Sequence, residues 1–163
     1  MSEHDERVPQ LDLPGPAPGP AETLLVVGYD RHPAGRAALV TAADLAVRLE
    51  ASLLVVHVVD LADHPIDPDA ADWDTRAQAA AAAERDEVGV VLADHPLPWT
   101  SLTRRGDPAR QLLDLAGQHH AMMIVVGAAR TGLSAHLLTG SVVKHLTRHI
   151  DRPILIVPDR PAC

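Results

Sequence analysis

Four stretches of this chain, Leu24–Val27, Leu53–Val56, Met122–Val126 and Ile154–Val157, are apolar at every position. Each has the length of a β-strand, and none alternates between apolar and polar residues. A strand with one wet face alternates, whereas a strand hidden on both faces has no need to. A sheet made of such strands needs a cover on each side, and the segments between them are long enough to supply it. These runs restrict the chain to an α/β fold in which a parallel sheet carries helices on both faces.

The remaining elements fall between these runs. The first strand, Thr23–Val27, ends at Gly28-Tyr29-Asp30, and a helix from Pro33 or Ala34 to Glu50 puts Ala38, Ala42, Leu45 and Leu49 along one face. A second strand, Ser52–Val59, ends at Asp60. Residues 61–68, rich in Asp, His and Pro, read as a loop. The alanine-dense stretch from Asp69 to about Ala93 reads as a helix with a weak point at Gly89. Trp99–Arg104 alternates modestly and predicts a third, less buried strand. Asp107 is placed to cap a helix with Pro108 at its first position, running to about His119. Met122–Val126 is the fourth strand, Gly140-Ser141 opens a fourth helix, and Pro153–Pro158 bounds the fifth strand. Ligands of such sheets sit beyond the carboxyl ends of the strands, at the topological switch point. In a strand order 2-1-3-4-5 that point lies between strands one and three. In the order 3-2-1-4-5 it lies between strands one and four, which brings Asp30 beside Gly127.

Composition narrows the functional classes. A chain of 163 residues suits one domain with a proper core, and its apolar content rests on Ala, Val and Leu, with no Phe and two Trp. The formal net charge of −8 leaves no basic stripe for nucleic acid, and any anionic ligand needs local positive groups. The one cysteine, Cys163, rules out a disulfide framework or a structural zinc site and points to a reducing cytoplasm. No secretory signal or membrane-length apolar run is present. Residues 1–21, with Pro9, Pro14, Pro16, Pro18 and Pro20 among charges, predict a disordered tail ahead of a domain spanning 22–159, and 160–163 form a short C-terminal tail.

The segment Gly127–Ser141, GAARTGLSAHLLTGS, joins a strand to a helix through small residues. Small residues let a backbone approach a ligand, and a helix start offers free N–H groups and a positive dipole end to an anion. A plain connecting loop has the same outline. Taken together, VVGYD, HVVD, RRGDPARQLLDLA, VVGAARTGLSAHLLTGSV and RPILIVP resemble the universal stress protein family, in order and at its spacing, from about Thr23 to Pro158.

That resemblance implies a five-stranded sheet in order 3-2-1-4-5, Rossmann-like and of the adenine nucleotide alpha hydrolase type. It also implies a homodimer paired through the last strand, here Ile154, Leu155, Ile156 and Val157, and an ATP or AMP site with or without Mg²⁺. By position, Gly28, Tyr29 and Asp30 would meet the adenosine. Asp30 would accept a ribose hydroxyl or help hold Mg²⁺, and Val58 would bind adenine through its backbone beside an apolar wall. Tyr29 could stack on the base or obstruct it. Gly127, Ala128, Ala129, Arg130, Gly140, Ser141 and Val142 would line the phosphates. The family's nucleotide binders carry a glycine where this chain has Arg130. If that position needs a positive φ, arginine costs about 1–2 kcal/mol and Gly132 could absorb the turn. In an ordinary conformation the guanidinium would instead face the phosphates. The ligand is expected to be regulatory, with no catalytic residues and at most a slow hydrolysis, and the regulatory protein partner has no signature in the chain. A nucleotide-free dimeric interaction module is the alternative.

Other signals carry less. His145 and His149 have helical ligand spacing but lack a third ligand, and His57 reads as a hydrogen-bonded core histidine. The chain contains no Walker lysine, no nucleophile elbow and no receiver-type acceptor aspartate.

Overall fold

The computed structural model describes residues 23–59, 73–128, 141–149 and 151–159, with the side chains of residues 73, 74 and 141–143 excepted. The expected tails, the loop 61–68 and most of the glycine loop, residues 129–140, lie outside the described residues. Five strands, β1 (Leu24–Gly28), β2 (Ser52–Val59), β3 (Trp99–Arg105), β4 (Met123–Gly127) and β5 (Ile154–Val157), alternate with four helices, α1 (Pro33–Leu49), α2 (Trp73–Leu92), α3 (Pro108–Gln118) and α4 (Ser141–Arg148). The strands form one parallel sheet in the order β3-β2-β1-β4-β5. This is the Rossmann-like order expected from the resemblance, with the switch point between β1 and β4.

Strand parity sorts the core into two layers. Leu25 and Val27 of β1, Leu53 and Val55 of β2 and Val125 of β4 pack with the alanine face of α1 and with Val88 and Leu92 of α2. Their alternates, Val26, Leu54, Val56, Ile124 and Val126, pack with Leu112, Leu115 and Ala116 of α3 and Leu146 of α4. Both sets are essentially inaccessible to solvent, which is why these strands read as unbroken apolar runs.

The ends of the elements follow from local chemistry. Asp107 caps α3 by accepting the Arg110 N–H at 2.7 Å, with Pro108 at the first position as its sequence implies. Helix α1 closes with Glu50 in the left-handed region (φ 52°), and the Ala51 N–H donates back to Ala46 O at 2.8 Å. At its other end α1 comes down on the sheet. A Cβ at Gly127 would lie within 2.5 Å of the Ala34 carbonyl group. Backbone cannot give way as the end of a side chain can, so only glycine fits there.

Gly127→Ala is expected to lower the unfolding free energy by about 1–3 kcal/mol through overpacking. Gly117, in α3 with nothing within 4 Å of an added Cβ, is the control. Gly117→Ala should be neutral or stabilising by up to about 1 kcal/mol. Urea denaturation of the two variants beside the parent measures both.

Candidate nucleotide site at the ends of β1 and β2

Beyond the carboxyl ends of β1 and β2 lies a cleft lined by Gly28, Tyr29, Asp30, Val56, His57, Val58, Pro108 and Leu112. Strand parity puts Val56 and Val58 on the α3 side, so the wall is apolar and closed by the start of that helix. Its volume of about 50 Å³ is well below the roughly 300–1,000 Å³ of pockets that enclose a small molecule. A nucleotide-sized ligand would therefore insert one edge and lie across the mouth.

Asp30 stands at that mouth. Its Oδ1 accepts the His32 N–H at 3.2 Å, an Asx turn that leads into α1. The carboxyl lies so close to Gly35 that a Cβ there would collide with it. Burial pushes the Asp30 carboxyl above its usual range, with His32 acting in the opposite sense. A desolvated carboxylate of this kind gains from further hydrogen-bond donors.

Tyr29 corrects an expectation. Its ring is 2% exposed and belongs to the core layer under α1 and α2. It follows Leu25 and Val27 in parity, so it has no free face to stack on a base and does not obstruct the cleft. The backbone of Tyr29 is held to β2: its N–H donates to Val56 O at 2.8 Å and its carbonyl accepts from His57 Nδ1 at 3.1 Å. The phenol itself is pushed up to about 12, by burial first and then by the charge of Glu87. Its hydroxyl lies near Glu87 but makes no hydrogen bond of ordinary geometry among the described residues.

Of the phosphate-loop residues, Gly127 ends β4, next to β1, and the Ala128 N–H donates to Val157 O at 2.7 Å. Gly127 is held to glycine by α1, a packing role that the motif reading did not contain. Ala129, Arg130 and Gly140 lie outside the described residues. Ser141 and Val142 open α4, with side chains not described. His145 and His149 stack at a centroid distance of 4.7 Å, and His149 Nδ1 lies 3.1 Å from the His145 carbonyl. Among the described residues no group of three or more His, Cys, Asp or Glu side chains could hold a metal ion. No described helix is long and apolar enough to cross a membrane.

Residues 24–158 match the universal stress protein family. The chain belongs to that family. A universal stress protein of Mycolicibacterium smegmatis is 29% identical over 135 residues, covering 82% of this chain and 96% of the relative. Among solved structures, universal stress protein UspA from Lactobacillus plantarum superposes with a TM-score of 0.65 at 25% identity, covering 85% of this chain and 99% of that one. A universal stress protein in complex with cAMP has a TM-score of 0.60 at 22% identity, covering 86% and 99% of the two chains. One from Archaeoglobus fulgidus in complex with dAMP has a TM-score of 0.59 at 17% identity, covering 83% and 97%.

This universal stress protein also carries a buried polar group that its sequence did not announce. Glu84 of α2 is 4% exposed, and its Oε2 lies 3.2 Å from His57 Nδ1. Nearby, Arg31 and Arg36 converge on Glu87 at 3.2 Å and 3.9 Å. Burial pushes Glu84 up to about 8, with Arg31 lowering it and Glu87 raising it. Burial also holds His57 below its ordinary value, opposed by its hydrogen bond to Tyr29. The pair therefore favours its uncharged form, a carboxylic acid beside a neutral imidazole.

A carboxyl that binds its proton more tightly folded than unfolded contributes fully below its unfolded value of 4.5 and loses that contribution as pH rises to about 8. Glu84→Gln cannot ionise. It should match the parent near pH 5 and exceed it near pH 9 by on the order of 2–4 kcal/mol. Urea unfolding across that range would show the gap opening with pH, and a constant gap would contradict the burial of the charge.

Proposed function

We propose that this universal stress protein binds an adenine nucleotide, ATP or AMP, as a regulatory ligand across the ends of β1, β2 and β4. The observation that carries this reading is the apolar cleft beneath Val56, Val58 and Leu112 with the desolvated Asp30 carboxyl at its mouth. An apolar slot takes the edge of a flat base, and a carboxylate short of donors takes a ribose hydroxyl. Gly28 and the Tyr29 backbone form the floor between them. The phosphates would run towards β4, over Gly127 and Ala128, to the loop residues Ala129 and Arg130. From there they would reach Gly140, Ser141 and Val142, where a helix start favours an anion. The cAMP and dAMP complexes of the structural relatives support the ligand class. Mg²⁺ would accompany a triphosphate as its counter-ion.

Arg130 would supply a local cation, which an anionic ligand needs in a chain of formal net charge −8. Titration calorimetry with MgATP tests the reading. Heat should be released by the parent and weakened about tenfold in Asp30→Ala through loss of a charge-assisted hydrogen bond. Absence of both heat and thermal stabilisation at millimolar nucleotide would leave the nucleotide-free interaction module as the reading to keep. In that case Arg130→Gly is the variant expected to gain affinity.

We also propose a homodimer paired along β5. Among the described residues the strand sits at the sheet edge with β4 as its one neighbour, and Ile156 is 41% exposed. A bare apolar edge strand invites pairing with a second copy. Sedimentation should give the dimer mass for the parent and the monomer mass for Ile156→Lys. A parent that sediments as a monomer would refute the pairing.

A further inference from the structure

The polar cluster between β1, β2 and α2 lies where it can act on the cleft. The Tyr29 carbonyl belongs to the peptide that joins Tyr29 to Asp30, and His57 Nδ1 lies 3.1 Å from its oxygen. A carbonyl oxygen only accepts, so Nδ1 carries the proton and the tautomer of the ring is set. Glu84 Oε2 approaches the same Nδ1 to 3.2 Å. The N–H is thus directed at the carbonyl at the end of β1, with the α2 carboxyl close beside it.

Packing alone does not account for Glu84. One and two turns further along α2, on the same face, the chain has Val88 and Leu92, both buried. An aliphatic residue would continue that stripe at lower cost than a buried carboxyl. The second Glu84 oxygen has no hydrogen-bond partner among the described residues, and the first lies 3.2 Å from His57 Nδ1. Asp30, in turn, is confined from the other side by the His32 N–H and by the close approach of Gly35. A turn of the Tyr29–Asp30 peptide would carry the carboxyl out of that seat.

We propose that His57, oriented by Glu84, is a positioning residue for the cleft: its Nδ1–H holds the Tyr29–Asp30 peptide and thereby aims the Asp30 carboxyl at the ligand. The identity of that ligand rests on the nucleotide reading above. The aim of Asp30 is a property of the free protein and is measured there.

Three substitutions at His57 separate positioning from simple core filling. Asn carries its amide nitrogen as many bonds from Cα as Nδ1 is, so His57→Asn keeps the donor and discards the titration. In His57→Gln the nitrogen reaches the place of Nε2 instead, and His57→Leu removes the donor while keeping bulk. The first readout is the pair of backbone amide shifts of Asp30 and His32 in the ligand-free protein. They should move in His57→Leu and His57→Gln and return towards the parent in His57→Asn. The second is the MgATP dissociation constant, expected to rise about tenfold with Leu or Gln and to stay within about threefold of the parent with Asn. Glu84→Gln, which keeps an acceptor oxygen, should behave as Asn does, and Glu84→Leu as Leu does. If Leu at position 57 prevents folding, the Gln and Asn pair makes the same comparison between two polar residues. Equal amide shifts in Asn and Gln, or an Asn variant that binds no better than Gln, would overturn the proposal. Should the parent release no heat with MgATP while the shifts follow the stated pattern, the positioning role stands and the nucleotide reading falls.

Discussion

Helix α1 meets the sheet at its first turn more closely than any side chain at position 35 or 127 would permit. Most of the site depends on that approach. It brings Ala34 onto the end of β4, seats the Asp30 carboxyl over Gly35, and sets the Asx turn through which the chain leaves β1. Two glycines far apart in sequence thus permit the approach, Gly35 within the first turn of α1 against Asp30 and Gly127 at the end of β4 against Ala34. The strand order adds the second constraint, because β1 lies between β2 and β4 with both edges paired. The end of β1 is therefore fixed laterally by its neighbours and from above by α1.

Much of this was legible in the sequence for a definite physical reason. Strands buried on both faces carry no polar interruptions, so Leu24–Val27 and Leu53–Val56 declared themselves, as did the Asp107-Pro108 start of α3. Ile154–Val157 has the same apolar pattern, but only Val157 of it is buried, and Ile156 is exposed. Tyr29 was open to the same logic but was read, at the end of the first strand, as a side chain that could meet the base. Counting by twos from Leu25 and Val27 puts its ring in the α1/α2 layer, where it lies. Glu84 left a weaker trace: one charge in an alanine-rich helix looks solvated unless it is aligned with Val88 and Leu92 one and two turns on. Its neighbour His57 was read as a hydrogen-bonded core histidine; the hydrogen bond to the Tyr29 carbonyl bears out the first part, while the side chain is only partly buried. The reason for glycine at 127 needed the helix crossing, which no local pattern encodes.

The two faces of the sheet differ in chemistry. The α3/α4 layer is built of Val, Leu, Ile and Ala. The α1/α2 layer mixes a similar alanine and valine base with a phenol, an imidazole and a carboxyl near the ends of β1 and β2. Shape on the first side can vary by exchanging one apolar residue for another, as at Pro108 and Leu112 beside the cleft. On the second side each polar atom limits its neighbours, since a buried donor or acceptor left alone is costly.

The central position of β1 also bears on how the chain is made. Strand β1 pairs with β2 across one helix, but its other edge waits for β4, where Leu25 is matched with Met123. At ribosomal speeds of about 5–20 residues per second, that edge stays open for roughly 5–20 seconds after it is synthesised. An all-apolar strand with a bare edge is sticky for that whole interval.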